Sequence, residues 1–198
     1  MSEIFPVTYL VRHGETAWSL AGRHTGLTDL PLTPRGEETA RELCGRLQGL
    51  VLEKVFTSPL QRAAHTCTLA GFGDVATADP DLVEWDYGDF EGLTFREIRA
   101  SRPGWSLFRD GCPGGETLTA VTARADRVVQ RVRHVNGNVL LFSSSHFLRV
   151  LAARWLDQDA SAGRHFVLGT AALCALGYDH DRSEPVIRLW NQTPNSGP

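Results

Sequence analysis

Much of what would mark a secreted scaffold, a membrane span or a metalloenzyme is missing from this chain of 198 residues. Its four cysteines, Cys44, Cys67, Cys112 and Cys174, are widely spaced with no Cys-x-x-Cys pair, which argues for reduced thiols in a cytoplasmic protein rather than a disulfide framework. Nowhere do apolar residues run long enough to span a bilayer, and Met1 to Pro6 lacks the basic and apolar regions of a secretion signal. A membrane partner is therefore not expected. Positive charge is not in excess either: the formal net charge of -3 and pI near 6.2 provide no global field for nucleic acid. No P-loop or GxGxxG occurs, and His13-Gly14-Glu15 lacks the His-Glu-x-x-His spacing of a zinc hydrolase, so no metal or cofactor is expected. Nothing in the sequence specifies an oligomeric state.

What is present is a composition of 42% hydrophobic and 22% charged residues, enough for one α/β domain with a substantial core. That domain is expected over residues 1–192, with a disordered tail at 193–198. Val7 to Val11 reads as a short strand buried on both faces, ended by Gly14, which sets Arg12 and His13 at its carboxyl edge. In open α/β sheets ligands bind at that edge, and a guanidinium beside an imidazole suits an anion.

Further along, residues 18–32 read as loop. Thr33 caps a helix with Pro34 in its first turn, running to about Leu50. Lys54 to Thr57 is a second strand. A helix from Leu60, capped by Ser58, puts Arg62 in its first turn, where the helix amino terminus already favours an anion. Residues 83–92 form a loop crowded with acids and aromatic rings. A short helix spans 94–101, and a long one from Thr117 to His134 exposes Arg124, Arg127, Arg131 and Arg133 as a wet face. Val139 to Ser143 is a third buried strand, with helix again from Phe147 to Leu156, and two late strands follow at 171–178 and 186–190. The expected architecture is a three-layer α/β/α sandwich, a mostly parallel central sheet with helices on both faces.

Three strands thus end in polar residues on one sheet edge: Arg12 and His13, Ser58 with Arg62, and Ser144 to His146. Together with Gly22-Arg23-His24-Thr25-Gly26, Leu30-Pro31-Leu32-Thr33, Thr57-Ser58-Pro59-Leu60-Gln61-Arg62-Ala63, Glu84-Trp85-Asp86-Tyr87-Gly88 and Phe147-Leu148-Arg149, the block Val11 to Thr16 resembles the histidine phosphatase superfamily, also called phosphoglycerate mutase-like. The resemblance implies His13 as nucleophile, forming a phosphohistidine, with Arg12 and Arg62 on the nonbridging oxygens. It implies Glu84 as proton donor to the departing alcohol and then base toward water, a task that calls for a protonated carboxyl desolvated by rings such as Trp85 and Tyr87. Thr25 and Gly26 would offer backbone donors, and Gly115 to Thr117 another. Trp18, Trp85, Trp105 and Phe108 are candidates for the alcohol side of the pocket, two of them at most as contacts.

One departure stands out. The family's second catalytic histidine lies five residues before the arginine of the following helix, which places Ser144 there and Ser145 where glycine is expected. His146 matches the second histidine of a His-Gly-His-Phe-Leu-Arg string. On an extended backbone it would sit about 6.6 Å from residue 144 on the same side, too far to replace the missing ring unless the turn changes. By analogy with loss of an oxyanion donor, Ser144 costs on the order of 10²–10³ in turnover. Only 59 residues separate Glu84 from Ser144, short for the cap a mutase needs to keep a phosphoenzyme dry. The expected function is hydrolysis of a small phosphorylated metabolite, with activity reduced by Ser144. A mutase-type phosphotransferase and a weak or inactive phospholigand-binding protein on the same fold are the alternatives.

Overall fold

The protein is described here by a computed structural model over residues 5–194. Six strands, β1 (Thr8–Arg12), β2 (Leu52–Thr57), β3 (Thr77–Ala78), β4 (Asn138–Ser143), β5 (Leu173–Tyr178) and β6 (Pro185–Gln192), form one sheet in the order β3-β2-β4-β1-β5-β6. β1, β2, β3 and β4 are parallel, whereas β5 runs antiparallel to β1 and β6 antiparallel to β5. The central strands bury both faces, and side-chain alternation divides the core in two. Leu10, Val139 and Leu141 join one cluster with Val121, Val128, Phe147 and Leu151 of α6 (Leu118–Arg133) and α7 (Ser145–Trp155). Val11, Leu140 and Phe142 join the other with Leu43, Leu47 and Cys67 of α2 (Pro34–Leu47) and α3 (Gln61–Leu69). This is the expected layered, mostly parallel architecture.

Local signals explain several helix starts. Thr33 accepts from the Gly36 amide with Pro34 in the first turn of α2, and Thr117 accepts from the Ala120 amide at the start of α6. Thr94 and Glu97 close a capping box on α4 (Phe95–Ser101), which the short α5 (Leu107–Asp110) follows. Three departures from the sequence reading lie near the polar sheet edge. Residues 18–20, expected as loop, belong to the short helix α1 (Ala17–Leu20), capped reciprocally by Thr16 and Ser19. Ser58 does not cap α3; the Gln61 amide donates instead to Asp29 Oδ1 at 2.8 Å. Helix α7 begins at Ser145, two residues earlier than expected, so the chain turns immediately after β4.

Of the expected disordered tail, Thr193 and Pro194 border a groove lined by Glu15, Arg35 and Thr39, while 195–198 lie outside the described residues. All four cysteines are unpaired. Among the described residues no helix is long and apolar enough to cross a membrane.

The segment after β1 is held by backbone contact so close that side chains are excluded. A Cβ at Gly36 would lie 2.2 Å from the Glu15 carbonyl oxygen, and one at Gly14 would lie 2.5 Å from the Gly36 oxygen. Neither obstacle is a flexible side-chain end. Gly36→Ala is therefore expected to destabilise the protein by about 1–3 kcal/mol, as overpacking does, and to lower activity by displacing the loop after His13. Denaturant unfolding alongside a turnover assay checks this; an unchanged midpoint would contradict it.

Candidate active site

Parallel pairing of β1 with β4 sets Arg12 opposite Ser143, and the His13 amide extends the ladder by donating to the Ser143 carbonyl at 3.0 Å. On the other side the Ser58 amide donates to the Phe142 carbonyl at 2.9 Å. The three strand ends predicted to converge do so. His13 is 3% exposed, and its Nδ1 meets the acceptor-only carbonyl of Gly14 at 2.7 Å. Nδ1 therefore carries the hydrogen and Nε2 keeps the lone pair a nucleophile needs. The Gly14 amide in turn donates to Thr66 Oγ1 of α3. Burial, then the charges of Arg12 and Arg62, hold the His13 pKa well below the usual imidazole value, against the weaker opposing effect of the Gly14 hydrogen bond.

Arg12 Nη1 donates to the Leu168 carbonyl at 2.6 Å. Arg62, fully buried, donates from Nη1 to the Thr28 carbonyl at 2.9 Å and from Nη2 to those of Thr25 and Gly26 at 3.2 and 2.7 Å. Part of the Arg62 fork thus braces the 25–28 loop instead of facing a ligand. The Nε groups of Arg12 and Arg62 and the Ser144 hydroxyl have no partner. Together with Arg133 Nε they are the buried side-chain nitrogen and oxygen atoms left unpaired among the described residues.

Glu84 sits deep in the site with a carboxylate that accepts three amides: Trp85 at 2.9 Å and Phe147 at 2.7 Å on Oε1, and His146 at 3.0 Å on Oε2. It caps α7 from 62 and 63 residues away, which explains the early helix start that the serine pair alone does not signal. The loop carrying it is held by Arg124, which donates to the carbonyls of Asp81, Val83 and Glu84 and pairs with Glu116 at 2.7 Å. Arg124 is therefore buried, not part of a wet face as expected; Arg127 and Arg131 do lie outward, paired with Asp81 and Asp79. Burying Arg124 is tolerable because its donors meet a carboxylate and carbonyls.

A cavity of about 230 Å³ opens over His13, with Arg12, Glu84, His24, Thr25, Tyr87 and His146 in its lining, whereas Arg62 and Ser144, expected on the phosphate, are not part of that lining. Several expected contributors are elsewhere. The Gly26 amide is committed to Glu91, 2.8 and 2.9 Å from its two oxygens, and so is unavailable to a ligand. Trp85 is core, its Nε1 donating to the Glu116 carbonyl at 2.7 Å, so it supports the Glu84 loop and does not line the cavity. Trp105 and Phe108 stand behind His24 and His146, edge-on and tilted, while Trp18 lies against Gly92. The Glu116 amide is likewise used, donating to the Asp86 carbonyl. His146 reaches the cavity because the chain becomes helical at Ser145, so the extended spacing does not apply. Glu91 and Asp29 were not singled out in the sequence, and Arg124 only as an exposed side chain; each acts on backbone far away along the chain.

An imidazole flanked by buried cations and a carboxylate, at the carboxyl edge of a parallel sheet, is an arrangement suited to binding a phosphoryl group. The chain belongs to the histidine phosphatase superfamily (branch 1), which matches residues 8–193. It is 43% identical over 176 residues to an acid phosphatase of Mycobacterium tuberculosis, covering 86% of each chain. To the sedoheptulose 1,7-bisphosphatase of Saccharomyces cerevisiae it is 36% identical over 187 residues, covering 78% of this chain and 69% of the yeast protein. A solved Mycobacterium tuberculosis structure superposes with a TM-score of 0.88 at 37% identity, covering 95% of this chain and 98% of that one. The protein is accordingly a phosphatase, and the mutase and non-enzymatic alternatives are not favoured.

His13 and His146 both have depressed pKa values, His146 through burial first and then the charges of Arg149, His24 and Arg12. The unfolded chain, with ordinary imidazoles near 6.5, takes up protons that the folded chain refuses, so stability is lost as pH falls through about 6.5. His13→Ala is expected to show a smaller drop in Tm between about pH 7.5 and about pH 5.5 than the unaltered protein, measured without phosphate. An equal drop would contradict the assignment of a neutral buried ring.

Proposed function

We propose that the protein hydrolyses a small phosphomonoester through a phosphohistidine on His13. The observation that carries this reading is that Arg12 Nε, Arg62 Nε and Ser144 Oγ are buried without partners, while the charges of Arg12 and Arg62 act on a His13 ring whose Nε2 lone pair is free. Buried donors without acceptors are costly, and a phosphoryl group supplies several acceptor oxygens at once.

In the first step His13 Nε2 attacks phosphorus in line. The phosphorus–oxygen ester bond breaks, and the leaving alkoxide takes a proton that Glu84 carries on Oε2, the oxygen that accepts only the His146 amide while Oε1 accepts two. In the second step Glu84, now ionised, takes a proton from water as its oxygen attacks the phosphohistidine, releasing inorganic phosphate and restoring both groups. Arg12 and Arg62 remain cationic throughout although burial lowers both pKa values, and they stabilise charge on the transferring group. Because His13 is held neutral by its surroundings, attack remains available below the usual imidazole pKa, which suits acid operation. The names of the relatives, an acid phosphatase and a sugar bisphosphatase, support the same class of substrate. A cavity of about 230 Å³ is smaller than the roughly 300–1,000 Å³ that drug-sized ligands occupy, which favours a small metabolite. Reduced thiols support a cytoplasmic setting.

Ser144 supplies a short neutral hydroxyl where the family places a second imidazole. Hydrolysis of para-nitrophenyl phosphate above that of a His13→Ala control is expected, and Ser144→His with Ser145→Gly is expected to raise turnover on the order of 10²–10³-fold. No hydrolysis above the control, in either background, would leave only phospholigand binding.

A further inference from the structure

Two imidazoles in the cavity wall are not used by this chemistry. Both are held in a defined orientation. His24 Nδ1 lies 2.9 Å from the Leu93 carbonyl, which only accepts, so His24 carries its hydrogen on Nδ1 and, when neutral, presents Nε2 as an acceptor. His146 Nδ1 lies 2.6 Å from the Tyr87 hydroxyl. With the proton of Tyr87 on its own oxygen, donation to Nδ1 satisfies both groups. The opposite tautomer would leave the Tyr87 hydrogen without an acceptor among the described residues. His146 therefore presents Nε2–H as a donor.

The two rings are parallel within 3° with centroids 6.1 Å apart, and both line the cavity beside His13 and Glu84. Trp105 contacts His24 from behind and Phe108 contacts His146, so neither ring is free to turn. Neither Nε2 has a protein partner among the described residues. Neutral His146 is poorly suited to replace the charge of the family's missing histidine. An acceptor beside a donor, beyond the phosphoryl position, matches a group that both gives and takes a hydrogen bond, which a hydroxyl does and an alkyl or aryl carbon does not.

We propose that His146, oriented by Tyr87, and His24 read a hydroxyl on the alcohol half of the substrate, so that this phosphatase selects phosphoesters of hydroxylated chains over unsubstituted ones. The proposal rests on the phosphate-site reading above and adds its alcohol-side specificity. Tyr87 acts as a positioning residue, since it reaches the ligand through His146.

Non-hydrolysable phosphonates test this whether or not turnover is fast. In calorimetric titrations 2,3-dihydroxypropylphosphonate is expected to bind about tenfold more tightly than propylphosphonate, the margin of one to two hydrogen bonds. That margin is expected to vanish in His146→Leu and to shrink in His24→Phe, with affinity for inorganic phosphate unchanged. In Tyr87→Phe the margin shrinks and the ¹⁵N spectrum of His146 shifts from a single Nε2–H tautomer to a mixture. Equal affinity for the two phosphonates in the unaltered protein, which needs no variant to fold, would overturn the proposal while leaving the phosphate site intact. So would an undiminished margin in both histidine variants. Failure of inorganic phosphate itself to bind would overturn the phosphate-site reading and the proposal with it.

Discussion

The parallel ladder between β1 and β4 is the constraint from which the site follows. It fixes Arg12 against Ser143 and, through the amide of His13 and the carbonyl of Ser143, ties the His13 ring to the strand that delivers Ser144 and His146. Both strands are central and apolar on both faces, so a one-residue slip would interchange the two halves of the core. The packing of Leu10 against one pair of helices and Val11 against the other therefore also positions the chemistry. Hydrophobic burial stabilises the register, and the register aims the polar residues.

Around that axis the site is assembled by charged side chains acting on distant backbone. Glu84 caps α7, Asp29 caps α3, Glu91 holds the amides of Gly26 and Thr28, and Arg62 holds the carbonyls of residues 25, 26 and 28. Arg124 does the same for the loop bearing Glu84. Arg62, Glu84 and Arg124 are buried, so each of these depends on its partners being present, whereas Asp29 is exposed. The outcome is a pocket rich in fixed donors around a neutral imidazole, an environment suited to negative charge developing on a phosphoryl group.

The parts of this arrangement legible in the sequence were those set by local rules. Apolar runs ending in Arg12-His13, Thr57-Ser58 and Ser143-Ser144 marked the strand ends, and Thr33-Pro34 and Thr117 marked helix starts, because capping and strand patterning act within a few residues. The start of α7 was misplaced since its amides are satisfied by Glu84, and the cap of α3 was misassigned since its acceptor is Asp29. Arg124 looked like one of four exposed arginines, as spacing on α6 does not reveal that a loop some 40 residues earlier folds over it. The amide of Gly26 appeared available because its partner, Glu91, lies in another loop. Trp85 and Trp105 were legible as aromatic content near the site, though not as supports standing behind it.

The central claim is that His13, Arg12 and Arg62 meet at one tetrahedral anion, with Ser144 at its edge. Crystals soaked in tungstate, located by anomalous scattering, test it most directly. The account predicts one tungsten site in line with His13 Nε2, its oxygens within hydrogen-bond distance of Arg12 Nε, Arg62 Nε and Ser144 Oγ. Tungstate bound elsewhere, with those three donors still unpaired, would contradict it.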